Sequence, residues 1–198
     1  MKKIILTLAL AAVAALSANA QQIGVNVGYT TKNFTDVFNA EAGLFVGANY
    51  NIELVNGIAV APGVEFAMLN WKKDDNNYQK ENYIAVPVMF NYGIEIVDGI
   101  KIAPYLGPTF SFGISSKGRN SLSTIASAIL GGSSEGSLYG ENSNYTQFDI
   151  LVGGGVAIEV MDMIRAFVGY NQGLLDRWNN DNATVKTSGV NFGVAYLF

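Results

Sequence analysis

The sequence contains neither cysteine nor histidine, and both absences narrow what the protein can do. Without cysteine the chain forms no disulfides and offers no thiol nucleophile or thiolate metal ligand. Without histidine it lacks the side chain that most often serves as a general acid or base near neutral pH. Proline is scarce, with four residues, and only 14% of the residues are charged. A disulfide scaffold, a zinc site and most acid–base enzymes are therefore disfavoured.

The first 20 residues have the three parts of a secretory signal peptide. MKK is a basic start, IILTLALAAVAALS is an apolar stretch, and Ala18 and Ala20 supply the small residues of a cleavage site. The apolar stretch is short for a transmembrane helix, so a cleaved signal is preferred over a permanent anchor. We therefore predict a signal peptide over residues 1–20 and a single mature domain over residues 21–198, beginning at Gln21.

The mature chain is acidic. Removing the predicted signal leaves 10 lysine and arginine residues against 16 aspartate and glutamate residues, a formal net charge of −6. Nucleic-acid-binding domains usually carry a basic surface, so we expect no nucleic-acid partner. The glycine run at 153–155 lacks the spacing of a phosphate-binding loop, and no helical pattern follows it. We therefore expect no cofactor and no bound metal.

Apolar residues recur at every second position along the mature chain, which is the period of β-strands. In one segment, for example, Leu44 and Val46 alternate with Gly43, Phe45 and Gly47. A tilted strand crosses a membrane with roughly 9–11 residues, and the segments that show this alternation are about that long. These segments are residues 22–31, 41–54, 58–71, 83–95, 100–114, 146–159, 164–175 and 185–198.

The two faces of these segments differ in a way that separates a membrane barrel from a soluble one. One face carries bulky apolar side chains, and the other carries mainly glycine, alanine, asparagine and serine. A water-facing sheet usually carries more lysine, glutamate, threonine and arginine, whereas small residues fit a narrow lumen and bulky apolar ones suit lipid. We therefore predict an all-β, eight-stranded antiparallel up-and-down transmembrane β-barrel, with a soluble β fold as the alternative.

The links between segments alternate between short and long. Outer-membrane barrels have short periplasmic turns and longer external loops, so both termini are expected on the periplasmic side. In the longest link, SLSTIASAILGG has the pattern of a short helix. The short links are residues 55–57, 96–99 and 160–163, and the long links are residues 32–40, 72–82, 115–145 and 176–184.

Proline lies inside several of the predicted strands, where it removes a hydrogen-bond donor from the sheet. We expect bulges or strand ends at some of these positions, because a closed sheet tolerates missing donors poorly. The four prolines are Pro62, Pro87, Pro104 and Pro108.

A few charged residues lie at the alternating strand positions that are predicted to face the interior of the barrel. Charges inside a narrow barrel are expected to pair or to contact water. Most of them flank the short links and should gather at the periplasmic mouth, where they form either a structural network that plugs the lumen or a selectivity ring. We prefer the plug, because eight strands leave room for side chains and not for an aqueous channel. The predicted lumen residues are Glu53, Glu65, Glu95, Lys101, Asp149, Glu159 and Arg165.

Two adjacent segments, YIAVPVMFNYGI and IKIAPYLGPTFSFGI, carry a family resemblance. Tyr83 with Pro87, and Pro104-Tyr105 with Gly107-Pro108, resemble the motifs of the porin-family outer-membrane β-barrel domain. In size the chain is similar to OmpA-like and OmpX-like barrels of Gram-negative bacteria. The resemblance implies an integral outer-membrane location with lipid and lipopolysaccharide as surroundings, and it implies no reaction. Barrel enzymes of this size class rely on histidine, which this chain lacks.

The last residues form an alternating apolar pattern that ends in an aromatic residue. Phe192, Val194, Tyr196 and Phe198 resemble the C-terminal signal read by the barrel-assembly machinery. That resemblance implies the machinery and periplasmic chaperones as partners during biogenesis. The alternative is that any last strand of a barrel ends in lipid-facing apolar residues.

These observations predict a non-enzymatic integral outer-membrane protein with a structural or surface-contact role through its external loops. Two other functions stay open, namely a narrow porin or transport pore and an accessory barrel for secretion or assembly. The sequence sets no oligomeric state.

Overall fold

The computed structural model describes residues 21–34, 41–55, 57–74, 77–119, 139, 146–177 and 186–198. The predicted signal peptide, with Ala18 and Ala20, lies outside these residues, and so does the helix predicted within the longest link. No helix of membrane-spanning length and hydropathy occurs in the part of the chain that the structure describes. The strands are β1 Gln21–Phe34, β2 Glu41–Val55, β3 Ile58–Asp74, β4 Asn77–Tyr92, β5 Ile94–Val97, β6 Ile100–Arg119, β7 Phe148–Val160, β8 Ile164–Gly173 and β9 Thr187–Leu197.

The strands form one antiparallel sheet that closes on itself. Their order is β4-β3-β2-β1-β9-β8-β7-β6-β5, and an additional pairing of β4 with β6 completes the circle. The first and last strands are neighbours, with Val27 opposite Val194. Because β4 and β5 are two parts of one strand interrupted at Gly93, the wall consists of eight strands, and the predicted fold class is confirmed.

Side chains alternate between the outside of the barrel and its lumen, as the period of the sequence predicts. In β2, Leu44 and Val46 are 57% and 50% exposed, whereas Phe45 between them is 4% exposed. The outer surface is therefore bulky and apolar, which lipid favours and water does not. The lumen is narrow, and most of its buried apolar residues are alanines. They are Ala59, Ala61, Ala67, Ala85, Ala103, Ala157 and Ala195.

Several strands extend further toward the long-loop end of the barrel than the sequence predicts. β1 continues to Phe34, β4 begins at Asn77, and β6 continues to Arg119. The predicted boundaries were 31, 83 and 114, because apolar alternation stops there. Outside the lipid-facing band of a barrel both faces of a strand can be polar. The strand therefore continues there without the apolar alternation from which it was predicted. The long links are correspondingly shorter than predicted at these ends.

The prediction of bulges or strand ends at the prolines is wrong, since all four lie within strands. Register shifts occur elsewhere, as between Glu53 and Val55. Near three of the prolines the register is constant and two consecutive pairs are missing from the ladder. The interruptions lie between Asn49 and Ile52 opposite Pro62, between Pro62 and Glu65 opposite Pro87, and between Pro87 and Phe90 opposite Pro108. Pro104 remains paired with Val156.

The short turns depend on left-handed backbone conformations. Gly57 and Gly99 have φ angles of 81° and 75°, as the NG and DG dipeptides predict. The turn VMDM has no glycine, and its residues Met161 and Asp162 have φ angles of 54° and 56°. Left-handed conformation costs a non-glycine residue roughly 1–2 kcal/mol, and asparagine tolerates it best. A residue that tolerates the left-handed conformation should therefore stabilise this turn.

We expect Met161→Asn to raise the free energy of unfolding by up to about 1 kcal/mol, because asparagine adopts the left-handed conformation more readily than methionine. Met161 is 73% exposed, so few contacts are lost. The measurement is the urea midpoint of refolded protein in detergent. Met163→Asn, in the same turn but without a positive φ, is the control. Equal stabilisation by both substitutions would contradict the explanation.

Candidate functional site

A buried cluster of ionic side chains lies in the lumen at the long-loop end, where the sequence predicted only loops. Glu81 on β4 is fully buried and accepts hydrogen bonds from Lys32 Nζ at 3.1 Å and Arg177 Nη2 at 3.2 Å. Tyr139 Oη also donates a hydrogen bond to the Glu81 carboxylate. The Lys32 and Arg177 side chains are 7% and 1% exposed. We call Lys32, Glu81, Tyr139 and Arg177 the loop-end cluster.

The loop-end cluster is held from several sides. Arg177 Nε donates to the Thr146 carbonyl oxygen at 3.0 Å, and Thr146 N donates to the Arg177 carbonyl oxygen at 2.8 Å. Lys32 Nζ lies 4.6 Å from the centre of the Tyr83 ring, a cation–π contact. Burial and the adjacent Glu81 carboxylate raise the pKa of Tyr139 well above its usual range, so this phenol stays neutral and donates. The cluster therefore fills the lumen at this end with buried side chains that hydrogen-bond to one another.

Asp149, one of the predicted lumen residues, lies near this end and apart from the other predicted charges. It is 1% exposed and accepts a hydrogen bond from Thr187 Oγ1 on β9, across the intervening strand β8. Gly173 on β8 makes room for this bond, because a methyl group there would lie 2.5 Å from Thr187 Oγ1. The bond ties β7 to β9 from inside the barrel.

The short-turn end contains most of the other predicted lumen charges, but they form separate contacts and no single ring. Arg165 and Glu159 face each other on β8 and β7, with Arg165 Nη2 at 2.7 Å and Nε at 3.0 Å from Glu159 Oε1. Their side chains are 12% and 9% exposed. Lys101 instead binds Asp162, at 2.7 Å, and that pair is 34% and 54% exposed.

Glu53 and Glu95 do not join this network. Both are exposed, and the contact of Glu53 is a 3.3 Å hydrogen bond from the Gly57 amide in its own turn. The five charges predicted to gather at one mouth of the barrel therefore form one buried pair, one exposed pair and two exposed glutamates. These residues are Glu53, Glu95, Lys101, Glu159 and Arg165.

A cavity of about 140 Å³ lies in the lumen between the two ends. Its lining is a mixture of alanine, aromatic rings and uncharged polar groups, with Glu65 as a charged residue on its wall. Asn26 Nδ2 donates a 3.1 Å hydrogen bond to Glu65 Oε1. Among its uncharged polar lining residues are Asn49, Tyr83, Asn91, Tyr105, Asn171 and Asn191.

The described residues contain no group of three or more acidic side chains arranged to hold a metal ion. Glu81 contacts lysine, arginine and tyrosine instead, and Asp149 contacts threonine. A further carboxylate, that of Glu41, is fully buried, and Glu41 lies opposite Lys32 in the β1–β2 register. The paired lumen side chains neutralise one another's charges and close both ends of the barrel.

The residues of the predicted C-terminal signal point outward. Phe192, Val194, Tyr196 and Phe198 are 51%, 52%, 44% and 71% exposed. Phe192 packs against Tyr29 with ring centres 5.5 Å apart, and Tyr196 contacts Phe198 edge-to-face at 4.8 Å. The Phe198 amide donates to the Ile23 carbonyl oxygen at 2.8 Å, which extends the β1–β9 pairing to the end of the sequence.

Sequence reasoning missed the loop-end cluster for two reasons. Lys32 and Glu81 continue the interior parity of Thr30 and Tyr83, so extending the alternation past the last apolar residue would have found them. Tyr139 and Arg177 lie outside the strands, and no periodic pattern marks them.

Comparison with known proteins gives a family and several similar folds. Residues 4–198 match the sequence model of a family described as outer membrane protein beta-barrel domain. A search of curated proteins gives no match. Among solved structures, Neisserial surface protein A is 18% identical with a TM-score of 0.55, and the match covers 90% of this chain and 97% of that one.

The attachment invasion locus protein Ail of Yersinia pestis is similar to the same degree. It is 15% identical with a TM-score of 0.53, and the match covers 89% of this chain and 98% of Ail. A second structure of Ail, in complex with the heparin analogue sucrose octasulfate, matches with the same identity and TM-score and covers 90% of this chain and 99% of that one. At these identities the likeness shows a shared fold.

Proposed function

The chain belongs to the outer membrane protein beta-barrel domain family, and from that premise we propose that it is a non-enzymatic barrel with a closed lumen. Its role is structural, with contacts to the surroundings made at the long-loop end. The short-turn end then faces the periplasm, because barrels of the outer membrane have short periplasmic turns and longer external loops. The observation that carries the proposal is that buried ion pairs occupy the lumen near both ends, inside an apolar outer wall.

The lumen supports a closed barrel over a pore. Glu81 with Lys32 and Arg177 occupies one end, and Glu159 with Arg165 occupies the other. The cavity between them has a volume of about 140 Å³, and a barrel of eight strands leaves room for side chains and not for an aqueous channel. Opening a path would require breaking buried pairs, which is costly in a low-dielectric interior.

A narrow pore is the second candidate, and the cavity is the observation that favours it. The test is single-channel recording in planar bilayers with refolded wild-type protein, whose folding is verified by heat-modifiable gel mobility. We expect no reproducible conductance steps from folded protein, because both ends of the lumen are occupied. Regular steps that scale with the amount of folded protein would favour the pore and contradict the closed barrel.

A non-enzymatic role is supported by the chemistry of the side chains. The chain has no histidine. Glu81 and Glu159 are engaged in ion pairs, Asp149 accepts a hydrogen bond, and Glu53 is exposed in a turn. A serine nucleophile needs a general base close by. The lysines Lys32 and Lys101 each form an ion pair with a carboxylate, Lys32 with Glu81 and Lys101 with Asp162.

The outward-facing side chains indicate the surroundings of the barrel wall. They are bulky and apolar, as contact with lipid requires. We therefore propose that outer-membrane lipid and lipopolysaccharide surround the apolar wall.

Two biogenesis proposals accompany this function. The exposed outward row of Phe192, Val194, Tyr196 and Phe198 supports recognition by the barrel-assembly machinery, with periplasmic chaperones acting before it. Export through a signal peptide cleaved before Gln21 stays a prediction from the sequence.

A further inference from the structure

One carboxyl group at the long-loop end of the lumen has no hydrogen-bond donor. The side chain of Glu41, the first residue of β2, is fully buried, and among the residues that the structure describes neither of its carboxyl oxygens has a hydrogen-bond partner. Glu41 lies opposite Lys32 in the β1–β2 register, but Lys32 Nζ binds Glu81 at 3.1 Å. An ionised carboxylate that is removed from water and receives no hydrogen bond is strongly unfavourable.

Two cations and one carboxylate act on Glu41 from other parts of the barrel. Lys32 is on β1, Glu81 is on β4, and Arg177 follows β8. Both cations bind Glu81, at 3.1 and 3.2 Å, and both also act on the carboxylate of Asp149 on β7. Glu81 and Asp149 therefore balance the two positive charges. Ionisation of Glu41 would add a third negative charge to this end of the lumen.

The remaining neighbours of Glu41 are two phenols and one apolar side chain. The Tyr139 hydroxyl donates its hydrogen bond to Glu81. The Tyr83 hydroxyl lies within electrostatic reach of Glu41 but donates no hydrogen bond to it. On β3, the other strand paired with β2, Leu69 is fully buried near the same end. None of these groups therefore compensates a charge on Glu41.

We propose that Glu41 is a neutral carboxylic acid in the folded barrel, so that the loop end of the lumen binds one proton on folding and is weakened when that proton leaves. Glu81 accepts hydrogen bonds from lysine, arginine and tyrosine, and Asp149 accepts one from Thr187. The carboxyl group without a donor is the one that gains the proton. A protonated carboxyl is itself a donor, and the neighbouring Glu81 carboxylate is an acceptor.

The proposal gives stability a definite dependence on pH. Glu41 is level with Lys32, one residue beyond the last position of apolar alternation in β1, and therefore lies outside the lipid-facing band. Burial and the Glu81 carboxylate raise the pKa of Glu41 from the ordinary value of 4.5 to about 8. Between these pH values the folded barrel holds a proton that the unfolded chain has released. The contribution of Glu41 to stability is therefore complete below pH 4.5 and is lost as the pH rises through 8.

The first experiment compares the wild type with Glu41→Gln, whose neutral side chain has nearly the same size. Refolded protein in detergent is unfolded with urea at constant ionic strength, at pH values from about 5 to about 9. We expect the urea midpoint of Glu41→Gln, relative to the wild type, to rise with pH, because the variant has no proton to lose. A difference that is constant or that falls with pH would overturn the proposal.

Glu53→Gln is the matched control. Glu53 is an exposed glutamate whose contact is a local hydrogen bond from the Gly57 amide, and the substitution changes the net charge by the same amount. Its midpoint relative to the wild type should stay constant over the same pH range. An equal rise in both variants would assign the effect to net charge and refute the role of Glu41.

Infrared spectroscopy gives a second test that does not require Glu41→Gln to fold. The protein is labelled with carboxyl-¹³C glutamate and carries Glu65→Gln, which leaves Glu41 and Glu81 as the fully buried glutamates of the described residues. We expect an isotope-shifted C=O band of a protonated carboxyl at neutral pH, which disappears in alkali. No such band, or a band without the isotope shift, would overturn the proposal. Neither test depends on whether the lumen conducts ions.

Discussion

Replacing Glu81 by alanine should lower the free energy of unfolding by about 3–5 kcal/mol, the range measured when one member of a buried ion pair is removed. The loss is expected at the high end, because two cations depend on this carboxylate. Lys32 and Arg177 would both remain buried, with their side chains 7% and 1% exposed. The hydroxyl of Tyr139 would lose its acceptor as well.

The measurement is urea-induced unfolding of refolded protein, followed by gel mobility and circular dichroism. Glu53→Ala is the matched control, because Glu53 is an exposed glutamate whose contact is a local one with Gly57. That control should change stability by less than about 1 kcal/mol. If the two variants were equally stable, the loop-end cluster would have no structural role. A double-mutant cycle between Glu81→Gln and Lys32→Met then isolates the pairwise term.

Replacing Arg165 by alanine should cost about 3 kcal/mol and should not open the barrel to ions. Arg165 makes two hydrogen bonds to Glu159 Oε1, and both side chains are largely buried, so the variant leaves a carboxylate without its counter-charge. The loop-end cluster still closes the other end of the lumen. The expected result is therefore a weaker barrel and not a conducting one.

Lys101→Ala is the control for Arg165→Ala, because Lys101 also pairs with an acidic residue at the same end of the barrel. The Lys101–Asp162 pair is 34% and 54% exposed, and exposed pairs contribute roughly 0–1 kcal/mol. Unfolding midpoints and planar-bilayer recordings are measured on the same preparations. A stable Arg165→Ala barrel with clear conductance steps would show that this pair acts as a gate.

The fold could be predicted from the sequence because lipid and a narrow lumen impose opposite demands on alternate residues. Leu44 and Val46 face outward and Phe45 faces inward, as alternation alone requires. The NG and DG dipeptides located two of the tight turns, since Gly57 and Gly99 adopt positive φ. These signals are local, so each strand can be predicted from its own residues.

The candidate sites could be predicted only in part, because their residues become neighbours through closure of the barrel. The alternation along the strands placed Glu65 and Arg165 in the interior. It could not predict that Glu65 contacts Asn26 or that Arg165 contacts Glu159. Arg177 follows β8 and reaches Glu81 on β4, 96 positions away in the sequence. Such a contact depends on the circular order of the strands and on the path of the chain after β8. The alternation of apolar residues along a strand predicts neither of them.

The interrupted ladders near Pro62, Pro87 and Pro108 lie side by side in the barrel wall. The β2–β3, β3–β4 and β4–β6 ladders each miss two consecutive pairs, whereas the β6–β7, β7–β8 and β8–β9 ladders are continuous. The β1–β9 ladder also misses two pairs, beginning at Thr31, where Val190 N donates to Thr31 Oγ1. Fewer cross-strand hydrogen bonds make the proline-containing arc more compliant. When the bilayer thins or presses on the barrel, the cross-section should therefore become oval, with most of the bending in the proline-containing arc while the continuous arc from β6 to β9 keeps its curvature.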